Sequence, residues 1–422
     1  MQTALPMKRH LRRTLALALA AALLALSAAC GGSPFDEGLL GAVKVEAGDD
    51  IHIRTITAVT LGSGAHVERT VEMAIADYGP IRGHAVAMGE GLDSACETDA
   101  AIHAAESVAA DPKVVGVIGT SCSFAAVAAL PVISRGNLVM LSPSNTAPSL
   151  TSDLQGNASD SNMPGYYRTA SNDLYQGLAV ARFAWEELGL RNVGVLHDGD
   201  PYTRGLAEAF AAAFAESGGA TVVMKITRGA PDMTGALTEL AEAGPDGLFL
   251  PVHGEDGATV LTQLADVPGL QGVTVIGGEA LLTTQLLSLP EAAGVYFSSP
   301  DLDFDDNVNE ATGVSGAQLK AAYQARHGEA ATYVFISHAY DATTMLLRAI
   351  DNVAVTIEGD LYIDRAALRE ALTGVSGFRG IIGEISCDGF GDCGTGRLVV
   401  RRHPGGAVTE ATDMPVVYRF DP

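Results

Sequence analysis

From residue 51 onward, short β-branched or apolar runs alternate with Ala-rich stretches whose apolar residues recur at helical spacing. The runs 51–59, 84–88, 114–119 and 138–142 predict strands, and the stretches 67–78, 99–110 and 124–133 predict helices. A second set follows Tyr167-Arg168-Thr169. It predicts helices over 173–188, 203–217, 234–243 and 256–266 and strands over 192–197, 221–226, 247–252 and 273–278. Helices return at 317–327, 333–353 and 365–373, with strands near 381–386, 397–402 and 416–419. Strands separated by helices indicate βαβ units and parallel sheets. The expected fold class is therefore α/β, with two doubly wound parallel-sheet lobes, and the chain is longer than one hydrophobic core usually spans. Ligands in such sheets bind outside the carboxyl ends of the strands. That points to the loops 119–124, 142–151, 197–203, 252–257 and 277–281.

The N-terminus breaks this pattern. Lys8, Arg9, Arg12 and Arg13 precede an uninterrupted apolar stretch over 15–26, and Ser27, Ala28 and Ala29 lead to Cys30. A basic head, a short apolar middle and a small-residue exit describe an export signal. The middle is shorter than the roughly twenty residues a membrane-spanning helix needs. Arg12-Arg13 is read as head-group charge, since the rest of a twin-arginine signal is absent. Leu26-Ser27-Ala28-Ala29-Cys30 resembles a bacterial lipobox, with the leucine one position further back than usual. That resemblance implies a signal peptide over 1–29, acylation of Cys30, and an extracytoplasmic protein anchored to the cell membrane. Residues 31–50, rich in Gly and acidic residues, are expected to serve as a flexible tether.

Charge narrows the partners. The formal net charge is −24, and once the four basic residues of the signal are removed, 22 basic side chains face 50 acidic ones. Such a surface repels nucleic acid and anionic headgroups. A hydrophobic content of 47 % beside 18 % charged residues belongs to a folded chain. Four cysteines follow Cys30, an even number suited to disulfides in an oxidising compartment. Cys387 and Cys393 flank a Gly-rich turn and are expected to pair locally, which leaves Cys96 with Cys122. The competing zinc reading has poor ligand spacing, two cysteines with five residues between them and no histidine nearby.

Two loops could carry binding chemistry. In Gly119-Thr120-Ser121-Cys122-Ser123-Phe124, Ser123 stands at a helix start, where its hydroxyl and free N–H groups could receive a carboxylate or simply cap the helix. The loop Ser142-Pro143-Ser144-Asn145-Thr146-Ala147-Pro148 offers hydroxyls and backbone groups beside it. These two loops, with Asp93-Ser94-Ala95-Cys96, Tyr167-Arg168-Thr169, Asp173, Gln176-Gly177, His197 through Leu206 and Gly277-Gly278-Glu279, are similar in order and spacing to the Leu/Ile/Val-binding protein family. These are the type I solute receptors of branched-chain amino-acid ABC transporters. The resemblance spans residues 51 to about 400.

The resemblance implies a type I periplasmic binding protein fold with a three-strand hinge. Its lobes would comprise 51–168 with 301–382, and 169–300 with 383–422. It implies that Ser123 and Thr146 hold an α-carboxylate, while the Ser144 carbonyl and Glu279 hold an α-ammonium. Tyr202 would close the pocket from the second lobe, and Tyr333 would line the side-chain subsite. The matching cysteines of the family pair as Cys96 with Cys122. The expected partners are a small amino-acid-like ligand and a membrane permease, for a monomer without cofactor or metal. The physics of burial supports Glu279 separately, because a desolvated ammonium needs a carboxylate.

Two segments depart from the family pattern. Leu61-Gly62-Ser63-Gly64-Ala65-His66 is short and lacks the usual tyrosine, and Val252-His253-Gly254-Glu255 replaces aromatics. Both bear on the side-chain subsite. His253 could touch ligand or face solvent, His66 has a weaker claim, and His338 is read as helix packing. Enzymatic readings fare poorly. Gly62-Ser63-Gly64 lacks the third glycine of a dinucleotide fingerprint, and Gly119 to Ser123 ends in serine where a nucleophile elbow needs glycine. Asp388 and Asp392 could bind calcium, but the disulfide-closed turn accounts for them. The alternative to transport is a ligand-sensing receptor subunit built on the same fold.

Overall fold

The computed structural model describes residue 35 and residues 37–422; the export signal, the lipobox-like segment and Cys30 lie outside the described residues. Among the described residues no helix is long and apolar enough to cross a membrane.

Two sheets organise the chain. In the first, Val86–Ala87, Ile51–Thr57, Val114–Gly119, Val139–Ser142 and Tyr166–Arg168 lie side by side, all parallel, with Leu92–Asp93 also paired to Ile51–Thr57. The strands Val114–Gly119 and Val139–Ser142 are buried along their whole length, as a parallel sheet covered on both faces requires. One face packs on Ser63–Tyr78 and Ile336–Val353. The other packs on the Ala-rich helices Thr98–Ala110 and Ser123–Arg135. Alanine allows those two helices to approach each other and the sheet closely.

The second sheet runs Val416–Phe420, Leu398–Arg402, Tyr296–Pro300, Thr274–Gly277, Gly247–Leu250, Asn192–His197, Ala220–Lys225. The last five are parallel, and the two C-terminal strands join antiparallel. Fully parallel sheets were expected. Between Arg402 and Val416 there is only a single 3₁₀ turn, and a strand returning without a helical crossover can pair only antiparallel.

Three further expectations change. The stretch over 381–386 is not one strand but a hairpin of Phe378–Gly380 and Gly383–Ile385. The helix over 173–188 is α-helical only through Asp173–Arg182 and closes as a π turn over Phe183–Glu187. Part of the expected tether belongs to the folded body: Ala42–Val45 pairs antiparallel with Asp360–Asp364, and Val43 and Val45 are buried in the core of the first sheet.

The chain crosses between sheets after Arg168, after Pro300 and before Leu398. The first crossing is knotted to the third. Arg168, wholly buried, donates from Nε to Asp392 at 2.5 Å, to the carbonyls of Asn145 and Ala147 at 3.2 and 2.8 Å, and to the Thr151 hydroxyl at 2.6 Å. Asp392 lies in a loop closed by a disulfide between Cys387 and Cys393, and its second oxygen accepts from Asn172 and Ser152. The buried guanidinium is thus paired and makes four hydrogen bonds, the condition under which a charge can stay inside a protein. A second disulfide joins Cys96 to Cys122, beside the start of Ser123–Arg135.

Candidate functional site

The carboxyl ends of both parallel sheets face one cavity of about 780 Å³. From the first sheet it is lined by Ser123, Ser144 and Thr146, and from the second by Tyr202, His253 and Glu279, with Tyr333 at the side. Every ligand-contact residue expected from the sequence therefore borders the same space.

The first wall rests on hydroxyl groups that hold the backbone. Ser142 Oγ accepts from the N–H of Ser144 and of Asn145 at 3.2 and 2.9 Å and donates to the Thr120 carbonyl at 2.9 Å. Asn145 donates to the same carbonyl at 2.9 Å, and Ser144 Oγ to that of Ser121 at 3.2 Å. Ser123 is not the cap expected of it. Cys122 occupies that position without a side-chain bond, and Ser123 Oγ instead accepts from the Ala147 N–H at 3.3 Å, fastening the helix start to the next loop. The helix N-terminus keeps its partial positive charge and free donors. The Thr146 hydroxyl, 3 % exposed, lacks a hydrogen-bond partner.

The second wall is anionic. Glu279, on the short turn after Thr274–Gly277, is buried, and its Oε2 accepts from Gln176 Nε2 at 2.6 Å; Gln176 also donates to Ser298 Oγ at 2.9 Å. Burial raises the Glu279 carboxyl above its ordinary range. Asp173, wholly buried at the start of Asp173–Arg182, has neither carboxylate oxygen in a hydrogen bond. Burial, then the neighbouring charge of Glu279, pushes its carboxyl well up. Tyr202 follows the cap residue Asp200, whose carboxylate accepts the Tyr202 N–H at 2.7 Å. Its hydroxyl is buried, and burial followed by the charges of Glu279 and Asp173 drives its ionisation well above the usual range. Glu279 lines the cavity with Asp173 behind it, and among the described residues neither is salt-bridged to a lysine or arginine, which makes this wall a site for a cation.

Tyr333 is half-buried, and desolvation of its hydroxyl pushes that group up to about 12. It stacks on His66 with ring centroids 6.1 Å apart and meets Phe335 edge-on at 5.7 Å. His66, given little weight in the sequence, lines the cavity where the usual tyrosine is missing, its Nδ1 2.6 Å from the Tyr323 hydroxyl. His338 is buried between the rings of Phe304 and Phe335 and lies outside the cavity lining. Asp388 accepts backbone N–H groups within its own loop.

The sequence reading missed Asp200, Arg228 and Asp256, all of which line the cavity. Arg228 follows Ala220–Lys225, a parallel strand of the second sheet whose carboxyl-end loop is not among those the sequence pointed to. Its guanidinium lies 5.4 Å from the ring of Phe124, so a residue of the second wall touches a helix of the first. Pro148 likewise abuts Gly205, where an added Cβ would come within 2.8 Å of the proline ring.

The sequence model described as periplasmic binding protein matches residues 53–395. The chain is 27 % identical to Leu/Ile/Val-binding protein homolog 3 of Brucella melitensis over 348 residues, 81 % of this chain and 87 % of that protein. Among solved structures it is similar to the leucine-binding protein LivK of Thermotoga maritima, with a TM-score of 0.74 and 22 % identity over 88 % of this chain and 99 % of that one. It also resembles the branched-chain amino-acid transporter substrate-binding protein LivJ of Streptococcus pneumoniae, solved with isoleucine, with a TM-score of 0.66 and 19 % identity over 88 % and 100 % of the two chains.

Proposed function

The chain belongs to the periplasmic binding protein family, and from that premise we propose that it is the extracytoplasmic solute-binding protein of an ABC transporter, taking a branched-chain or related amino acid between its lobes and delivering it to the permease. The observation that carries this reading is the pairing, across one cavity, of a hydroxyl-and-helix-start wall with a wall of desolvated carboxyls. A zwitterion satisfies both.

Ser123, the Thr146 hydroxyl and the N–H groups opening Ser123–Arg135 receive the α-carboxylate. The Ser144 carbonyl and Glu279 take the α-ammonium, with Asp173 behind them adding negative potential. Tyr202 covers the zwitterion, and Tyr333 lines the side-chain subsite, where His253 also stands. The first lobe runs to Arg168 and again from Asp301 to the third crossing, with Ala42–Val45 joined to it; the second runs from Thr169 to Pro300 and again from Leu398 rather than from residue 383. They hinge at the three crossings, and ligand favours closure because only the closed form offers both walls at once. The contacts of Phe124 with Arg228 and of Pro148 with Gly205 belong to that closed arrangement. A monomer tethered through acylated Cys30 would present the closed form to its permease.

Calorimetry of the mature protein against an amino-acid panel tests the reading. Ser123→Ala is expected to weaken binding by about tenfold or more, since the carboxylate loses a charge-assisted donor; unchanged affinity would remove Ser123 from the ligand set. Binding should also weaken as pH falls. The raised carboxyls bind protons at higher pH than ordinary ones, so their negative charge, and with it the attraction for an ammonium, is lost as pH descends through their raised pKa. An affinity independent of pH from neutrality into the acid range would contradict the anionic wall. The Cys30→Ala protein should leave the membrane fraction for the soluble one, and retention in membranes would refute the lipid anchor.

A further inference from the structure

Beyond Tyr202 the second wall continues into a polar cluster that a zwitterion does not use. The rings of Tyr202 and His253 are 5.8 Å apart, and His253 Nε2 lies 3.6 Å from Asp200. Arg228 lies 3.7 Å from Asp198 and 3.6 Å from Asp200, and Asp256 accepts the Gly229 N–H at 2.8 Å. Asp200, Arg228, His253 and Asp256 all border the cavity.

The charges do not cancel. Asp198, Asp200 and Asp256 face Arg228 and His253, with His197 beside Asp198 and the Lys225 ammonium against Gly199. The carboxylates are the buried members: the side chains of Asp198 and Asp200 are 1 % and 5 % exposed, against 44 % for Arg228. The arginine is therefore screened by solvent and too far away for a hydrogen bond, while its countercharges are desolvated. Asp256 is 2 % exposed and its Oδ2 lacks a hydrogen-bond partner, while the buried Asp198 Oδ2 has only the 3.7 Å ion pair with Arg228. Leaving a buried carboxylate oxygen unmade is costly, and the group that would relieve it is a positively charged donor. The three carboxylates outnumber the two side chains that carry a permanent positive charge, Arg228 and Lys225.

We propose that this cluster is a subsite for a cationic side chain, and that the protein selects basic amino acids, lysine- or arginine-like, over branched-chain ones. The proposal rests on the amino-acid reading above and extends it. With the α-ammonium at Glu279, the route to Asp256 passes along the Tyr202 and His253 rings. An unbranched stem of three or four methylenes crosses that apolar step and delivers its charged head to the carboxylates, whereas a branched apolar chain ends among the rings. The cavity of about 780 Å³ has room for the longer ligand.

The test is calorimetry of the mature protein with L-arginine, L-lysine, L-leucine and L-glutamate, repeated on Asp256→Asn. A basic amino acid should bind at least about tenfold tighter than leucine or glutamate. Asp256→Asn should remove most of that advantage while leaving leucine affinity and the melting temperature unchanged. Leucine binding as tightly as the basic amino acids, or an unaltered preference in Asp256→Asn, would overturn the subsite and leave the amino-acid reading intact. Glutamate binding tightest would make Arg228 the reading group and likewise overturn it. If none of the four binds, the amino-acid reading itself falls, and this proposal with it.

Discussion

Glu279→Ala should lower amino-acid affinity far more than roughly tenfold, with little change in the melting temperature. The ligand's ammonium would enter a buried site and find its principal carboxylate gone, and an uncompensated desolvated charge costs several times a neutral hydrogen bond. Glu279→Gln separates charge from shape. It keeps the size of the side chain beside Gln176 and Tyr202 but removes the anion, so it should lose most of the same affinity. Calorimetry on both variants decides the matter. If Glu279→Gln binds as the parent does, the ammonium is neutralised elsewhere and the ligand geometry proposed here is wrong.

The second large effect concerns folding. Asp392→Ala should destabilise the protein by about 3–5 kcal/mol, the scale found when one member of a buried ion pair is removed and the other left behind. Arg168 is 0 % exposed and gives up four donors to this network, three of them to the loop that carries Ser144 and Thr146. The loss should show both in urea midpoint and in ligand affinity, because a guanidinium without its countercharge releases the loop it holds. Pairing the change with Arg168→Met should recover part of the stability, since no buried charge then remains, but not the affinity. A urea midpoint for Asp392→Ala within experimental error of the parent would refute this account of the crossing.

Much of this protein was legible along the chain. The alternation of short apolar runs with Ala-rich helical stretches is a local property, so both sheets and most of the loops at their carboxyl ends could be located from spacing alone. The hydroxyl-rich run from Ser142 to Thr146 and the acidic residue following Gly277-Gly278 also show their character without coordinates. Errors clustered where local pattern and position part company. Ser123 reads as a cap because serine before an Ala-rich run usually is one, yet the helix starts one residue earlier and its hydroxyl serves a different loop. Val43 and Val45 read as tether because two apolar residues cannot announce a strand whose partner lies more than 300 positions away.

The folded molecule alone determined which distant groups share a desolvated space. Nothing near Asp173 in the chain marks its carboxylate as unpaired, and its strongest neighbour, Glu279, is over a hundred residues further on. Arg228 and Asp200 lie in separate loops and Asp256 in the first turn of the helix Gly254–Leu264, each unremarkable by itself, and they form one cluster only when the second sheet aligns them. Secondary structure follows from propensity and periodicity within a dozen residues, so it is written locally. Charge complementarity depends on distance and on the exclusion of water, and both come into being only when the sheets pack and face one another.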